Sequence, residues 1–378
     1  MKKIFLLIFT FFLFVIKVNA SDLSISAKSA ILIEESTGKI IYEYNKDERL
    51  HPASMTKIMS LILIMEQIDK GKLGLEDEVI ISKDAASMGG SQVYVNEGET
   101  YKVEELLKGV AISSANDAVV ALAEKVSGSK EKFVEEMNKK ALKLKLKNTN
   151  FVNPHGLDDE NHYSTAYDMS IMARELLKHK DILKYTSRYE DYFKKKDNSS
   201  IWLVNTNKLV KLYPGMDGLK TGYTENAGYC LTATAMKNNI RLISVVMGED
   251  SIEKRTEDTL KLLNYGFNTI KKDILISKDK KIDTIKLNLT NKEYTNVYLK
   301  KDVIKVSDIN SDKIKYKYDI KYKDIKLPLN KNSVVGQITI KINDGSVIKE
   351  DLVIKEKISK IKFLKLFKKN INTFINSR

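Results

Sequence analysis

The segment that most restricts what this chain can become is the run Ile58-Met-Ser-Leu-Ile-Leu-Ile-Met65. It reads as part of a helix that starts near Ser54 and continues to about Lys70, apolar on almost every side. A helix hydrophobic all round has no solvent face, so other layers must enclose it. Candidate layers stand at both ends of the first 270 residues. Ala30 to Glu35 and Lys39 to Tyr44 read as strand and strand around the turn Ser36-Thr-Gly38. Three further strands are expected around Gly218 to Gly222, Gly228 to Met236 and Arg241 to Met247, the last two joined by a turn at Asn238-Asn239. Between them the pattern is helical from Tyr101 to Leu146, with breaks at Gly109 and Ser127-Gly128, and again from Ala166 to His179. The expected fold class is therefore α/β (α+β): one mainly antiparallel sheet flanked by helices, closed by a helix from Arg255 to Phe267.

From about Lys271 glycine and alanine become scarce and alternation takes over. Ile314-Lys-Tyr-Lys-Tyr-Asp-Ile-Lys-Tyr322 has the period of a half-buried strand, and similar runs lie at Thr284 to Leu289, Tyr294 to Leu299, Val334 to Ile342 and Val347 to Ile354. Several short strands with turns between them predict a small all-β sandwich. Ile358 to Ile375 then reads as a basic amphipathic helix. Ile361, Leu364, Phe367, Ile371, Phe374 and Ile375 share one face, with Lys362, Lys365 and Lys369 opposite. Such a helix can lie in the headgroup plane of an anionic membrane; docking on its own sandwich is the plainer alternative.

The first twenty residues read as an export signal, with basic Lys2 and Lys3, an apolar run from Ile4 to Ile16, and Val18-Asn19-Ala20 before the expected cut. The expected division is thus 1–20 signal peptide, 21–270 helix-and-sheet domain, 271–355 sandwich and 356–378 anchor helix. The formal net charge is +14. A basic exported protein suits an anionic cell envelope, and no nucleic-acid-binding motif accompanies the charge. The single cysteine, Cys230, cannot form an intramolecular disulfide, and its strand context suggests an inert core thiol.

Chemistry is concentrated in three short motifs: Ser54-Met-Thr-Lys57, Ser114-Ala-Asn116 and Lys220-Thr-Gly222. Ser54 and Lys57, three apart on a helix, face one side about 5–6 Å apart. A neutral lysine there can take the serine proton as the hydroxyl attacks a carbonyl. Burial and a second cation, for which Lys220 is the candidate, would lower the lysine pKa as required. Singly, Ser54 can be a helix cap, Ser114 and Asn116 turn residues, and Lys220 a surface charge; the set and its order carry the signal.

With their flanks, these motifs resemble the D-alanyl-D-alanine carboxypeptidases, the low-molecular-mass penicillin-binding proteins. The resemblance rests on His51-Pro-Ala-Ser-Met-Thr-Lys57, Ile112-Ser-Ser-Ala-Asn-Asp117, Asn153-Pro-His-Gly-Leu157 and Asp217-Gly-Leu-Lys-Thr-Gly-Tyr-Thr224. It implies the penicilloyl-transferase (β-lactamase/transpeptidase-like) fold. The implied reaction releases the terminal D-alanine of a peptidoglycan stem ending in D-Ala-D-Ala, through an acyl-enzyme on Ser54, without a cofactor or metal. β-Lactams would be inhibitors and the outer face of the cytoplasmic membrane the location. The resemblance further implies that the Ser54 and Tyr223 N–H groups form an oxyanion hole and that Ser114 relays a proton to the leaving amine. Asn116 would hold the substrate backbone, and Lys220, Thr221 and Arg255 would receive the terminal carboxylate. Gly222 would leave room for the extended peptide. His51, His155 and His162 read as structural. A D,D-endopeptidase or a non-catalytic envelope scaffold would carry the same motifs. A class A β-lactamase lacks support, because the nearest approach to its Glu-x-x-Leu-Asn element, Glu175 to Lys178, has no asparagine.

Overall fold

The computed structural model describes residues 23–361. The expected helix is α1 (Lys57–Asp69), and every residue from Lys57 to Met65 is buried. Each large apolar side chain so enclosed stabilises the fold by about 1.5–3 kcal/mol relative to an exposed one. Ser54 precedes α1 proper, in a single 3₁₀ turn, Ala53–Thr56.

Two layers of helix sandwich one five-stranded sheet. Its strands are β1 (Ser29–Glu34), β2 (Ile40–Tyr44), β3 (Met216–Thr224), β4 (Gly228–Lys237) and β5 (Ile240–Glu249), in the order β2-β1-β5-β4-β3. All neighbours run antiparallel. β5 is buried along its whole length and divides its side chains by the period of two. Ile243, Val245 and Met247 join the core around α1, whereas Leu242 and Val246 join a second core beneath α6 (Ile252–Thr269). The α1 side is completed by α2 (Val103–Ser113), α3 (Asn116–Ser127), α4 (Lys130–Leu144) and α5 (Ala166–Leu176). Gly109 does not break this run as expected. It sits inside α2, where an added Cβ would approach Val93 Cγ1 to 3.1 Å, and the break falls at Ser114, in left-handed conformation.

The C-terminal region opens with β6 (Ile270–Ile276), one strand earlier than the alternation suggests. There follow β7 (Lys281–Lys286), β8 (Tyr294–Leu299), β9 (Val303–Asp308), β10 (Tyr316–Tyr322), β11 (Val334–Ile342) and β12 (Val347–Ile354). A five-stranded sheet, β7-β8-β12-β11-β10, is joined by the ribbon β6-β9. That ribbon ties the two regions together: Ile270 and Val306 belong to the core under α6, and Ile276 and Val303 to the sandwich core. Buried Glu34 meets Lys272 at 3.1 Å across the junction, and hydrogen bonds from Ser36 and Thr37 help keep its carboxyl below the usual range against the cost of burial.

Two sequence expectations need correction here. Residues 287–289 leave the strand at β7, with Leu289 at φ +58°. Ile358 does not start a helix: its backbone bridges Leu329 and its side chain is fully buried in the sandwich core, while Lys360 bridges Thr290. Residues 356–361 therefore complete the sandwich. The remainder of the expected amphipathic helix and the signal segment 1–20 lie outside the described residues. Among the described residues no helix is long and apolar enough to cross a membrane.

Candidate active site

The three motifs converge on a cleft of about 570 Å³, lined by residues that include Ser54, Ser114, Thr221, Gly222, Tyr223 and Arg255. Ser54 is presented by the 3₁₀ turn, which the loop Asn153–Leu157 supports from behind. In that loop Gly156 has φ +90°, and a Cβ there would fall 1.9 Å from the Ala53 carbonyl oxygen, so only glycine fits. Asn153 closes the loop by accepting from the Gly156 N–H at 2.6 Å, and Ser60 on α1 donates to the Pro154 carbonyl at 2.6 Å.

Lys57 is fully buried, and its Nζ makes three hydrogen bonds: to Ser54 Oγ at 2.9 Å, Asn116 Oδ1 at 2.7 Å and the His155 carbonyl at 2.8 Å. Burial first, then the Lys220 charge, holds its pKa well below the ordinary lysine range. Two of its three partners, an amide oxygen and a backbone carbonyl, can only accept. An uncharged amine therefore keeps both N–H groups on those acceptors and turns its lone pair toward the Ser54 hydroxyl. The Asn116 amide is engaged at its other end too, donating to the Gly89 carbonyl at 2.7 Å.

Ser114 caps α2 at φ +68°, and its buried Oγ has no hydrogen-bond partner among the described residues. The neighbouring Asp117 accepts from the Val93, Val95 and Ala118 N–H groups, pinning the loop that brings Ser91 to the cleft. Lys220 is buried on β3 and pushed down to about 7, by burial first and the Arg255 charge second. Thr221 Oγ1 bonds Thr206 Oγ1 at 2.7 Å. Arg255, also buried, forms no ion pair among the described residues, and its Nε is without a hydrogen-bond partner. Tyr223 lies at the sheet edge with its ring stacked on Tyr229, centroids 4.3 Å apart.

Gly222 has a packing reason beside the one expected. A Cβ there would sit 2.8 Å from the Pro52 carbonyl and 3.1 Å from Ala53 Cβ. The glycine lets β3 close onto the turn that carries Ser54, rather than simply making space for a ligand. The histidines are bound into the scaffold: His162 Nε2 meets Thr56 Oγ1 at 2.7 Å, His51 Nδ1 meets the His162 carbonyl at 3.0 Å, and burial lowers His155 to about 3 and His162 to about 4. Cys230 is buried and pushed up to about 11 by its apolar surroundings, which leaves it a poor nucleophile. Among the described residues no group of histidine, cysteine and acidic side chains could hold a metal ion.

One wall of the cleft had no sequence signal. A hairpin of Glu190–Lys194 with Ser200–Val204 carries Val204 to the cleft, and the residues after it bring Thr206 and Lys208. Tyr229 and Ile252 also line the cleft.

Residues 16–251 match the sequence profile of the D-alanyl-D-alanine carboxypeptidase family. The chain belongs to that family. Residues 271–360 match a second profile, the C-terminal domain of penicillin-binding protein 5. The D-alanyl-D-alanine carboxypeptidase DacF of Bacillus subtilis is 46% identical over 93% of this chain and 91% of its own length. DacC of Escherichia coli is 34% identical over 89% and 85%. Among solved structures, penicillin-binding protein 5 of Haemophilus influenzae superimposes with a TM-score of 0.73 at 32% identity, over 89% of this chain and 98% of that one. Penicillin-binding protein D2 of Listeria monocytogenes in its ampicillin-bound form covers 65% of this chain and 99% of its own, with a TM-score of 0.59 at 32% identity. As a family member the chain is a serine-type D-alanyl-D-alanine carboxypeptidase with the fold expected from its sequence.

Proposed function

We propose that Ser54 is the nucleophile and Lys57 its general base, in the hydrolysis of the terminal D-Ala-D-Ala bond of a peptidoglycan stem. The observation that carries this is the hydrogen-bond set of Lys57, two fixed acceptors and Ser54 Oγ at 2.9 Å. The Ser54 proton passes to the Lys57 lone pair as Oγ bonds the carbonyl carbon. The developing oxyanion lies against the Ser54 and Tyr223 N–H groups, the first of them at a helix start where N–H groups lack intrahelical partners. Ser114, whose hydroxyl is otherwise unbonded, relays a proton to the departing D-alanine nitrogen as the C–N bond breaks. Water then attacks the ester, releasing the shortened stem and restoring the Ser54 hydroxyl. Asn116 orients Lys57 through Oδ1 and has one amide N–H left for the substrate backbone. Lys220, Thr221 and Arg255 receive the terminal carboxylate, and Gly222 keeps β3 close to Ser54.

We further propose a division near residue 270 between the peptidase and sandwich domains. The segment 1–20 acts as an export signal, and the basic C-terminal segment holds the enzyme on the anionic outer face of the cytoplasmic membrane. β-Lactams, which carry a strained amide and a carboxylate, are expected to acylate Ser54.

The test is release of D-alanine from a muropeptide pentapeptide by the mature protein, with a cross-linked dimer run in parallel. Release from the pentapeptide supports the carboxypeptidase. Cleavage of the dimer alone moves the assignment to an endopeptidase, and inactivity on both to a non-catalytic scaffold.

A further inference from the structure

Thr206 has no place in the three motifs, yet its surroundings are built. The residues on either side, Asn205 and Asn207, are each only 2% exposed. Asn205 Nδ2 donates to the Thr186 and Arg188 carbonyls at 3.0 and 2.8 Å, and Asn205 Oδ1 accepts from the Asn207 N–H at 2.8 Å. Asn207 Nδ2 donates to the Gly218 carbonyl at 3.1 Å, and Asn207 Oδ1 accepts from the Leu209 N–H at 3.1 Å. The Thr206 N–H itself donates to the Ile112 carbonyl at 3.2 Å, near the end of the helix that Ser114 caps. The backbone of Thr206 is therefore fixed on both sides, and its side chain lines the cleft between the Ser114 and Lys220-Thr221 motifs.

The Thr206 and Thr221 hydroxyl oxygens lie 2.7 Å apart. Two hydroxyls in contact hold two protons, and one is used between them. Whichever threonine donates, one O–H remains to be given outward. Arg255 lines the same cleft with a buried guanidinium that forms no ion pair among the described residues. Glu253 is the acidic residue that acts on it, and only at a distance; a buried cation with no carboxylate in direct contact favours an anionic ligand. One oriented O–H and one guanidinium lining the same cleft match a carboxylate and not a neutral amide, which offers fewer acceptor positions and presents its own donors.

We propose that Thr206 is a positioning residue that fixes the Thr221 hydroxyl and thereby sets the enzyme's preference for a free C-terminal carboxylate over an amidated or extended chain end. This rests on the carboxypeptidase reading above and deepens it.

The experiment uses the full mature chain carrying Ser54→Ala, so that binding is read without turnover. Affinities for N,N-diacetyl-lysyl-D-alanyl-D-alanine and for its C-terminal amide are measured by calorimetry. The free acid is expected to bind more tightly. Thr206→Val should cut that acid-over-amide ratio by about tenfold, the size of one hydrogen bond to a charged group. Thr206→Ser should restore it, and Thr206→Val combined with Thr221→Val should lose little more than either alone. An unchanged ratio in Thr206→Val, equal weakening of acid and amide, or no discrimination by the parent would each overturn the proposal. Absence of D-alanine release by the protein with Ser54 intact would instead overturn the carboxypeptidase reading, leaving the binding ratio as an independent result.

Discussion

The Nζ of Lys57 lies 2.9 Å from the Oγ of Ser54, and its other two hydrogen bonds end on groups that can only accept. That arrangement gives the uncharged amine one orientation, with its lone pair on the serine. The cost is a lysine enclosed among apolar side chains beside a second one, and the rest of the site follows from tolerating it.

Lys220 is held near 7 in the folded chain, against about 10.4 for a solvated lysine. Between these values the unfolded chain binds the extra proton, so stability rises with pH across that window. Lys220→Met is expected to abolish turnover, to raise the melting temperature at pH 7, and to flatten the rise in stability from pH 7 to 10. Melting curves of both proteins at several pH values check this.

His162 and His155 are lowered to about 4 and about 3 by burial. Below about pH 6.5 the unfolded chain takes up protons that the folded chain refuses, so stability falls as the pH drops. Each histidine should cost about 2 kcal/mol between pH 6.5 and 5. Denaturant titrations at the two pH values should show this loss, and His162→Gln should reduce its slope.

Gly156→Ala forces a Cβ against the Ala53 carbonyl at an unfavourable positive φ. A loss of about 2–4 kcal/mol is expected. The displaced turn also carries Ser54, so acylation by penicillin should slow even where the protein remains folded. Calorimetric melting and stopped-flow acylation measure the two effects separately.

Gly222→Ala is the milder counterpart, with its Cβ 2.8 Å from the Pro52 carbonyl. A loss of about 1–3 kcal/mol is expected. kcat/KM should fall because β3 is pushed back from the turn that carries Ser54. A variant with unaltered kcat/KM would contradict the close-packing role assigned here.

Much of this site was legible because its reactive residues occur in short local patterns. The apolar run 58–65 demanded a buried helix, and Ser54 and Lys57 at its start needed no tertiary knowledge to be paired. What was hidden depends on contacts between distant segments. Thr206 acquires meaning only beside Thr221 on β3, and Val204 only because a short polar-tipped hairpin brings it to the cleft. Gly222 was visible, but its packing role was not, since Pro52 and Ala53 lie far away in sequence. Ile358 misled for a related reason. Its apolar spacing fits a helix face equally well, but its side chain is taken up by the sandwich core.

The most direct test of the central claim is mass spectrometry of the mature protein after mixing with benzylpenicillin. Wild type, Ser54→Ala and Lys57→Met would be compared. One penicilloyl adduct is expected on wild type, located by digestion to Ser54, with none on Ser54→Ala and acylation of Lys57→Met slowed by at least about 10³-fold. An adduct on Ser54→Ala, or rapid acylation of Lys57→Met, would contradict it.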